Sequence, residues 1–136
     1  MRDLILITNP EYGLDEFESV LKQNISNIAT INKNSGQVSI EFKKNNELFG
    51  EIMQIEENPE VEQFSEPEEL AAIKEVVAYP RFYFIHFKDI EHLKLILKYL
   101  ANRSDVLVDN DHGLIPIGKD FVKMCEDKIG WDWVKE

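Results

Sequence analysis

The chain lacks the features of a disulfide-stabilised secreted protein and of a membrane protein. It has one cysteine, Cys125, in 136 residues, so it cannot form an internal disulfide. Its N-terminal apolar run, residues 4–7, is too short for a signal sequence or a membrane span. We therefore expect a soluble cytoplasmic protein, long enough to form its core without disulfides or metal.

The motifs of common enzymes are missing as well. The chain contains no glycine-rich phosphate loop, no G-x-S-x-G nucleophile turn and no H-E-x-x-H zinc motif. Its three histidines, His86, His92 and His112, and its single cysteine follow no recognised zinc spacing. The sequence therefore predicts no catalytic residue, no metal and no cofactor, and it favours a binding protein over an enzyme.

The chain has fewer basic than acidic residues, and one quarter of its length accounts for most of the difference. The net charge of −11 argues against nucleic acid and anionic membranes as partners, because both require a basic surface. Residues 47–79 contain ten acidic residues and one basic residue, Lys74, which gives that segment −9 of the total. Such a segment is either a solvated loop or a docking surface for a basic partner, and the sequence leaves both open.

One polar stretch, Asp109-Asn110-Asp111-His112-Gly113, has the composition of a metal or acid–base site. Counted from Asp109, glycine falls at the fifth position instead of the sixth that a calcium loop requires, and the twelfth residue is an aspartate. Asp, Asn and Gly are also the residues that tight turns favour. The pattern therefore predicts a turn between two strands.

Hydrophobic periodicity predicts one α+β domain over residues 1–136, with a mostly antiparallel sheet and helices packed against it. The predicted strands are residues 4–7, 28–31, 38–42, 48–55, 82–87, 106–108 and 114–117. All of residues 82–87 except His86 are apolar, so a strand there would carry apolar side chains on both faces. This pattern predicts a strand in the interior of the sheet.

Helix predictions rest on capping residues and apolar stripes. Asp15 is the predicted N-cap of the first helix, and Asp89 that of the helix over residues 90–100. An acidic loop and helix start cover residues 56–69, where Ser65 begins a capping-box spacing. The last helix would turn Phe121, Val122 and Cys125 inward.

Part of the chain also resembles a known class of proteins. Residues 80–134 resemble small bacterial immunity proteins of polymorphic or contact-dependent toxin systems, through Phe82-Tyr83-Phe84-Ile85, Leu107-Val108-Asp109-Asn110-Asp111, Gly118-Lys119-Asp120-Phe121 and Trp131-Asp132-Trp133. The resemblance implies a single-domain inhibitor that binds one toxin domain tightly. It supplies no catalytic residues, and many such toxins are basic nucleases.

These observations predict a monomer or weak homodimer that neutralises a basic toxin domain by occlusion. The expected partner-binding residues are the acidic side chains of residues 56–69 and two tryptophans: Glu56, Glu57, Glu60, Glu62, Glu66, Glu68, Glu69, Trp131 and Trp133. The tryptophans either anchor the interface or hold the C-terminal tail on the sheet. Two alternatives stay open: an acidic adaptor or nucleic-acid mimic, and a small hydrolase or transferase with a site around His86 and Asp109.

Overall fold

In a computed structural model, residues 2–43, 51–59, 66–109 and 115–127 are described, and they form four helices and a six-stranded sheet. The elements in chain order are β1 (Arg2–Thr8), α1 (Leu14–Ile25), β2 (Ala29–Asn34), β3 (Gln37–Phe42), β4 (Ile52–Glu57), α2 (Pro67–Val76), β5 (Arg81–Phe87), α3 (Ile90–Leu100), β6 (Leu107–Asp109) and α4 (Gly118–Asp127). This architecture confirms the predicted α+β fold.

The sheet has the strand order β2-β3-β4-β5-β1-β6, and every neighbouring pair is antiparallel. Strand β5 lies between β4 and β1, as its apolar residues on both faces predict. Its Ile85 lies on one face of the sheet, whereas Phe82 lies on the other. Alternation along a strand therefore gives the protein two apolar layers.

Helices cover the two sheet faces unequally. The larger core combines side chains of α1, α3 and α4 with one face, and includes the fully buried Phe17, Ile85 and Phe121. On the second face, Ile73 of α2 packs with Ile7, Phe82 and Leu107, at the end of the sheet formed by β5, β1 and β6. No described helix packs on that face over β2, β3 and the start of β4, where Ile52 is 52% exposed.

The start of α1 differs from the prediction. Its N-cap is Gly13 rather than Asp15, and the Gly13 N–H donates to Glu16 Oε1 over 3.2 Å. A Cβ at position 13 would lie 2.9 Å from the hydroxyl oxygen of Tyr83, so glycine is favoured where the chain enters the helix. Asp15 lies in the first turn of α1 and pairs with Lys33 over 3.0 Å.

Two boundaries around the acidic segment are also corrected. Strand β4 continues through Glu56 and Glu57, which were predicted to lie in a loop, because they pair with Phe84 and Tyr83 of β5. Helix α2 has its N-cap at Glu66 and not at the predicted Ser65. Pro67 follows at the first helical position, where its missing N–H costs no hydrogen bond. Ser65 itself lies outside the described residues.

The signals that predicted α3 are confirmed. The Asp89 side chain accepts a hydrogen bond from the Glu91 N–H over 2.9 Å and caps α3 as predicted. The apolar stripe of α3 is buried at Leu93, Ile96, Leu97 and Leu100. None of the described helices is long and apolar enough to cross a membrane.

The chain segments on either side of the polar stretch pair with each other. The Val108 N–H donates to the Pro116 carbonyl over 3.0 Å, and Leu107 forms an isolated antiparallel bridge with Ile117. Of the predicted strand over residues 114–117, the described residues 115–117 contribute this bridge. Residues 110–114 lie outside the described residues, so the turn stays a prediction.

Candidate binding groove and polar sheet face

A groove of about 570 Å³ lies between α2 and the segment that pairs with β6. Six of its nine described lining residues are apolar and three are carboxylates: Ala72, Ile73, Val76, Leu107, Ile115 and Ile117, with Glu68, Glu69 and Asp109. We call this feature the acidic groove. It combines an apolar surface with negative charge, as a site for a long basic side chain requires.

Helix α2 explains why carboxylates lie beside apolar residues here. Ile73 and Val77 turn toward the sheet, whereas Glu68 and Glu69 occupy the first turn, where the helix dipole favours acidic side chains. No ion pair joins Glu66, Glu68 or Glu69 to another residue in the described ranges. Within the described part of the chain, their negative charge is therefore not neutralised.

The predicted partner-binding residues that the structure describes make different contacts. Glu68 and Glu69 line the groove, and the backbone of Glu66 caps α2. Glu57, in contrast, pairs with Arg81 over 2.9 Å at the end of β4. Glu56 contacts His86, as described next. Four further predicted residues, Glu60, Glu62, Trp131 and Trp133, lie outside the described residues.

His86 lies between two carboxylates on the second face of the sheet. Its Nδ1 is 2.5 Å from Asp3 Oδ1, and its Nε2 is 2.8 Å from Glu56 Oε1. The register of β1, β5 and β4 creates this arrangement, since Asp3 is the direct cross-strand partner of His86 and Gln54 is its partner on the other side. Because both ring nitrogens have carboxylate partners, neither is left to act as a general base in this geometry.

The two carboxylates stabilise the protonated form of His86. Burial lowers the pKa, but hydrogen bonds to Glu56 and Asp3 outweigh it and raise the pKa of His86 above its ordinary value of 6.5. A group whose pKa is raised on folding stabilises the folded state fully below its unfolded pKa. That stabilisation is lost as the pH rises through the folded pKa.

We therefore expect the free energy of unfolding to fall as the pH rises from about 6.5 through the raised pKa of His86. Urea denaturation of the wild type and of His86→Gln, from pH 6 to pH 9, measures the effect. The variant should lack the part of the slope that His86 contributes, because glutamine does not titrate. Identical slopes in the two proteins would show that the carboxylates do not hold a proton on His86.

A catalytic site around His86 and Asp109 stays a hypothesis. The acidic groove is lined by Asp109, and His86 is not among its described lining residues.

Cys125 is partly buried, and burial raises the pKa of its thiol to about 11. The thiol therefore stays protonated at neutral pH and is a poor nucleophile.

A third cluster joins the start of β4 to the start of α3. Glu51 Oε1 accepts hydrogen bonds from the backbone N–H groups of Lys88 and Asp89, the latter over 3.1 Å. Glu51 Oε2 lies 2.7 Å from His92 Nδ1, and the His92 ring stacks on Phe42 with a centroid distance of 4.0 Å. Sequence reasoning missed this cluster, because Glu51 is 41 residues away from His92.

Comparisons of the chain with protein-family models, with curated proteins and with solved structures find no match.

Proposed function

We propose that this protein is a non-catalytic binding protein that neutralises a basic toxin domain by occlusion, as a cytoplasmic bacterial immunity protein. The acidic groove carries the proposal. Its apolar wall and its three carboxylates, Glu68, Glu69 and Asp109, fit a basic amphipathic segment of a protein partner. The resemblance of residues 80–134 to immunity proteins supports the choice of a toxin as that partner.

The groove suits a lysine or arginine side chain. Such a side chain can place its methylene groups on Ile73 and Ile117 and its charged end near Glu68 or Glu69. An exposed ion pair contributes only about 0.2–1 kcal/mol, so the apolar contact and the exclusion of water have to supply most of the affinity. The remaining acidic residues would increase the association rate by attracting a basic partner over longer distances.

Inhibition by occlusion is stoichiometric, whereas enzymatic inactivation of a toxin is not. We expect a titration of a fixed amount of the cognate toxin domain to reach full inhibition at one equivalent of this protein. The endpoint should not change with incubation time, because nothing is turned over. Toxin activity and the mass of both proteins after incubation are the measurements.

A control protein separates specific occlusion from nonspecific acidic binding. An unrelated acidic protein of similar net charge should not inhibit the toxin domain at the same concentration and salt. Time-dependent inhibition by far less than one equivalent, or a covalent change in the toxin, would contradict the proposal and favour an enzyme. No inhibition by several equivalents would also contradict it.

A further inference from the structure

We propose that Glu51, Asp89 and His92 form a binding site for a divalent transition metal of the zinc class. One ligand atom from each residue lies within 4.8 Å of the other two. Imidazole nitrogen and carboxylate oxygen are ligands that Zn²⁺ prefers, at distances of about 2.0–2.2 Å. Three protein ligands would leave a fourth position for water.

In both carboxylates, one oxygen accepts hydrogen bonds from backbone N–H groups, and the other oxygen faces His92 Nδ1. Glu51 Oε1 accepts from the N–H groups of Lys88 and Asp89, whereas its Oε2 lies 2.7 Å from His92 Nδ1. Asp89 Oδ1 accepts from the Glu91 N–H over 2.9 Å, whereas its Oδ2 lies 3.9 Å from the same nitrogen. Backbone N–H groups therefore orient both carboxylates, as outer hydrogen bonds do in metal sites.

The other two features of a preorganised site are burial and a fixed imidazole. The Glu51 side chain is only 7% exposed, which lowers the competition from water. His92 stacks on Phe42 with an angle of 2° between the rings, which restricts the rotation of the imidazole. Asp89 is half exposed, so an ion can enter from solvent.

Metal binding replaces one hydrogen bond by three coordinate bonds. The His92 Nδ1 lone pair, Glu51 Oε2 and Asp89 Oδ2 would coordinate the ion, and the proton between Glu51 and Nδ1 would move to Nε2 or to solvent. The hydrogen bonds from backbone N–H groups to Glu51 Oε1 and Asp89 Oδ1 remain. The bound ion would thereby link the start of β4 to the start of α3.

His86 provides a contrast within the same protein. It too lies between two carboxylates, Asp3 and Glu56, but these contact different ring nitrogens. They therefore lie on opposite edges of the ring and cannot coordinate one ion together with the same nitrogen. If any histidine–carboxylate pair bound zinc, both His86 and His92 would bind it. The proposed geometry predicts zinc binding only at His92.

The test is a calorimetric titration of the chelator-treated full-length protein with Zn²⁺, followed by thermal unfolding with and without the ion. We expect one equivalent to bind, and the melting temperature to rise with zinc and to return with a chelator. Asp89→Asn and His92→Gln should each weaken binding at least 10-fold. Asparagine keeps an N-cap oxygen and glutamine keeps a hydrogen-bond donor for Glu51, so the unbound fold should persist.

His86→Gln and His112→Gln are the matched controls, and both should bind zinc as the wild type does. His112 lies in the polar stretch that the sequence analysis interprets as a turn. Zinc binding that survives Asp89→Asn and His92→Gln would overturn the proposal. Loss of the site in His112→Gln or His86→Gln, or no binding by the wild type at 100-fold excess of zinc, would overturn it as well.

Discussion

Replacing Gly118 with alanine is expected to reduce the free energy of unfolding by about 3 kcal/mol or more. Gly118 begins α4, and its N–H donates to the Val106 carbonyl over 2.6 Å. A Cβ at this position would overlap the carbonyl oxygen of Ala101 and lie 3.3 Å from a methyl group of Val106. The Ala101 carbonyl is main chain, so it cannot rotate away as a flexible side chain can. Relief would require α4 to move away from the end of α3.

Gly36 provides the control for this substitution. It has φ of 81° in the turn between β2 and β3, and, apart from its chain neighbours, no heavy atom of the described residues lies within 4 Å of a Cβ built on it. Gly36→Ala should therefore cost only about 1–2 kcal/mol, the strain of a left-handed alanine. Urea denaturation of both variants measures the difference. An equal or larger loss for Gly36→Ala would show that α4 does not pack as closely on residue 101 as the structure has it.

The fold was predictable where local pattern and tertiary packing agree. Strand β5 is apolar on both faces and lies inside the sheet, and the apolar stripe of α3 faces the core. Asp89 caps α3 because a short carboxylate before an amphipathic helix satisfies its first N–H groups. The start of α1 was predicted wrongly: Gly13 and not Asp15 is its N-cap, and the contact that favours glycine there, 2.9 Å from a Cβ to the Tyr83 hydroxyl oxygen, comes from a strand 70 residues away.

The partners of His86 were not predictable because they depend on strand order. Asp3 and Glu56 are 83 and 30 residues away from His86, and both contact it only because β1 and β4 lie on either side of β5. The separate contacts of Glu56 and Glu57 have a different cause. Successive residues of a strand point to opposite faces, so these two neighbours meet different partners.

The acidic groove was predictable only in part. The charge count of residues 47–79 identifies the acidic segment, and Glu68 and Glu69 were expected to bind a partner. The apolar wall was not predicted, since Ile115 and Ile117 lie 39 and 41 residues beyond the end of α2 and reach the groove through the bridge from Ile117 to Leu107. A sequence pattern shows the composition of each wall, but only the fold shows that the walls face each other.

If the proposed function holds, replacing Ala72 with arginine is expected to weaken the complex with the proposed basic toxin domain at least 100-fold. Ala72 is exposed and lines the groove, so an arginine there can place its methylene groups and its charge where the partner's side chain would bind. The partner would then have to displace it, and two positive charges would compete for Glu68 and Glu69. Most of the loss should appear as faster dissociation, because the site itself is filled.

Ala71 provides a control that differs only in position. It is the neighbouring residue on α2 and is also exposed, but it is not among the described residues that line the groove. The two positions point about 100° apart around the helix axis. Ala71→Arg adds the same charge and the same side chain, so long-range attraction to the partner and helix propensity change alike in both variants.

The affinity of Ala72→Arg for the toxin domain, measured beside that of Ala71→Arg at physiological salt, therefore tests the proposed function most directly. We predict that Ala72→Arg loses at least 100-fold in affinity, whereas Ala71→Arg stays within about 5-fold of the wild type because one exposed charge contributes about 1 kcal/mol or less. Thermal unfolding of both variants confirms that each is folded. Equal affinities of the two variants would contradict the account, because the acidic groove would then not be the surface that holds the partner.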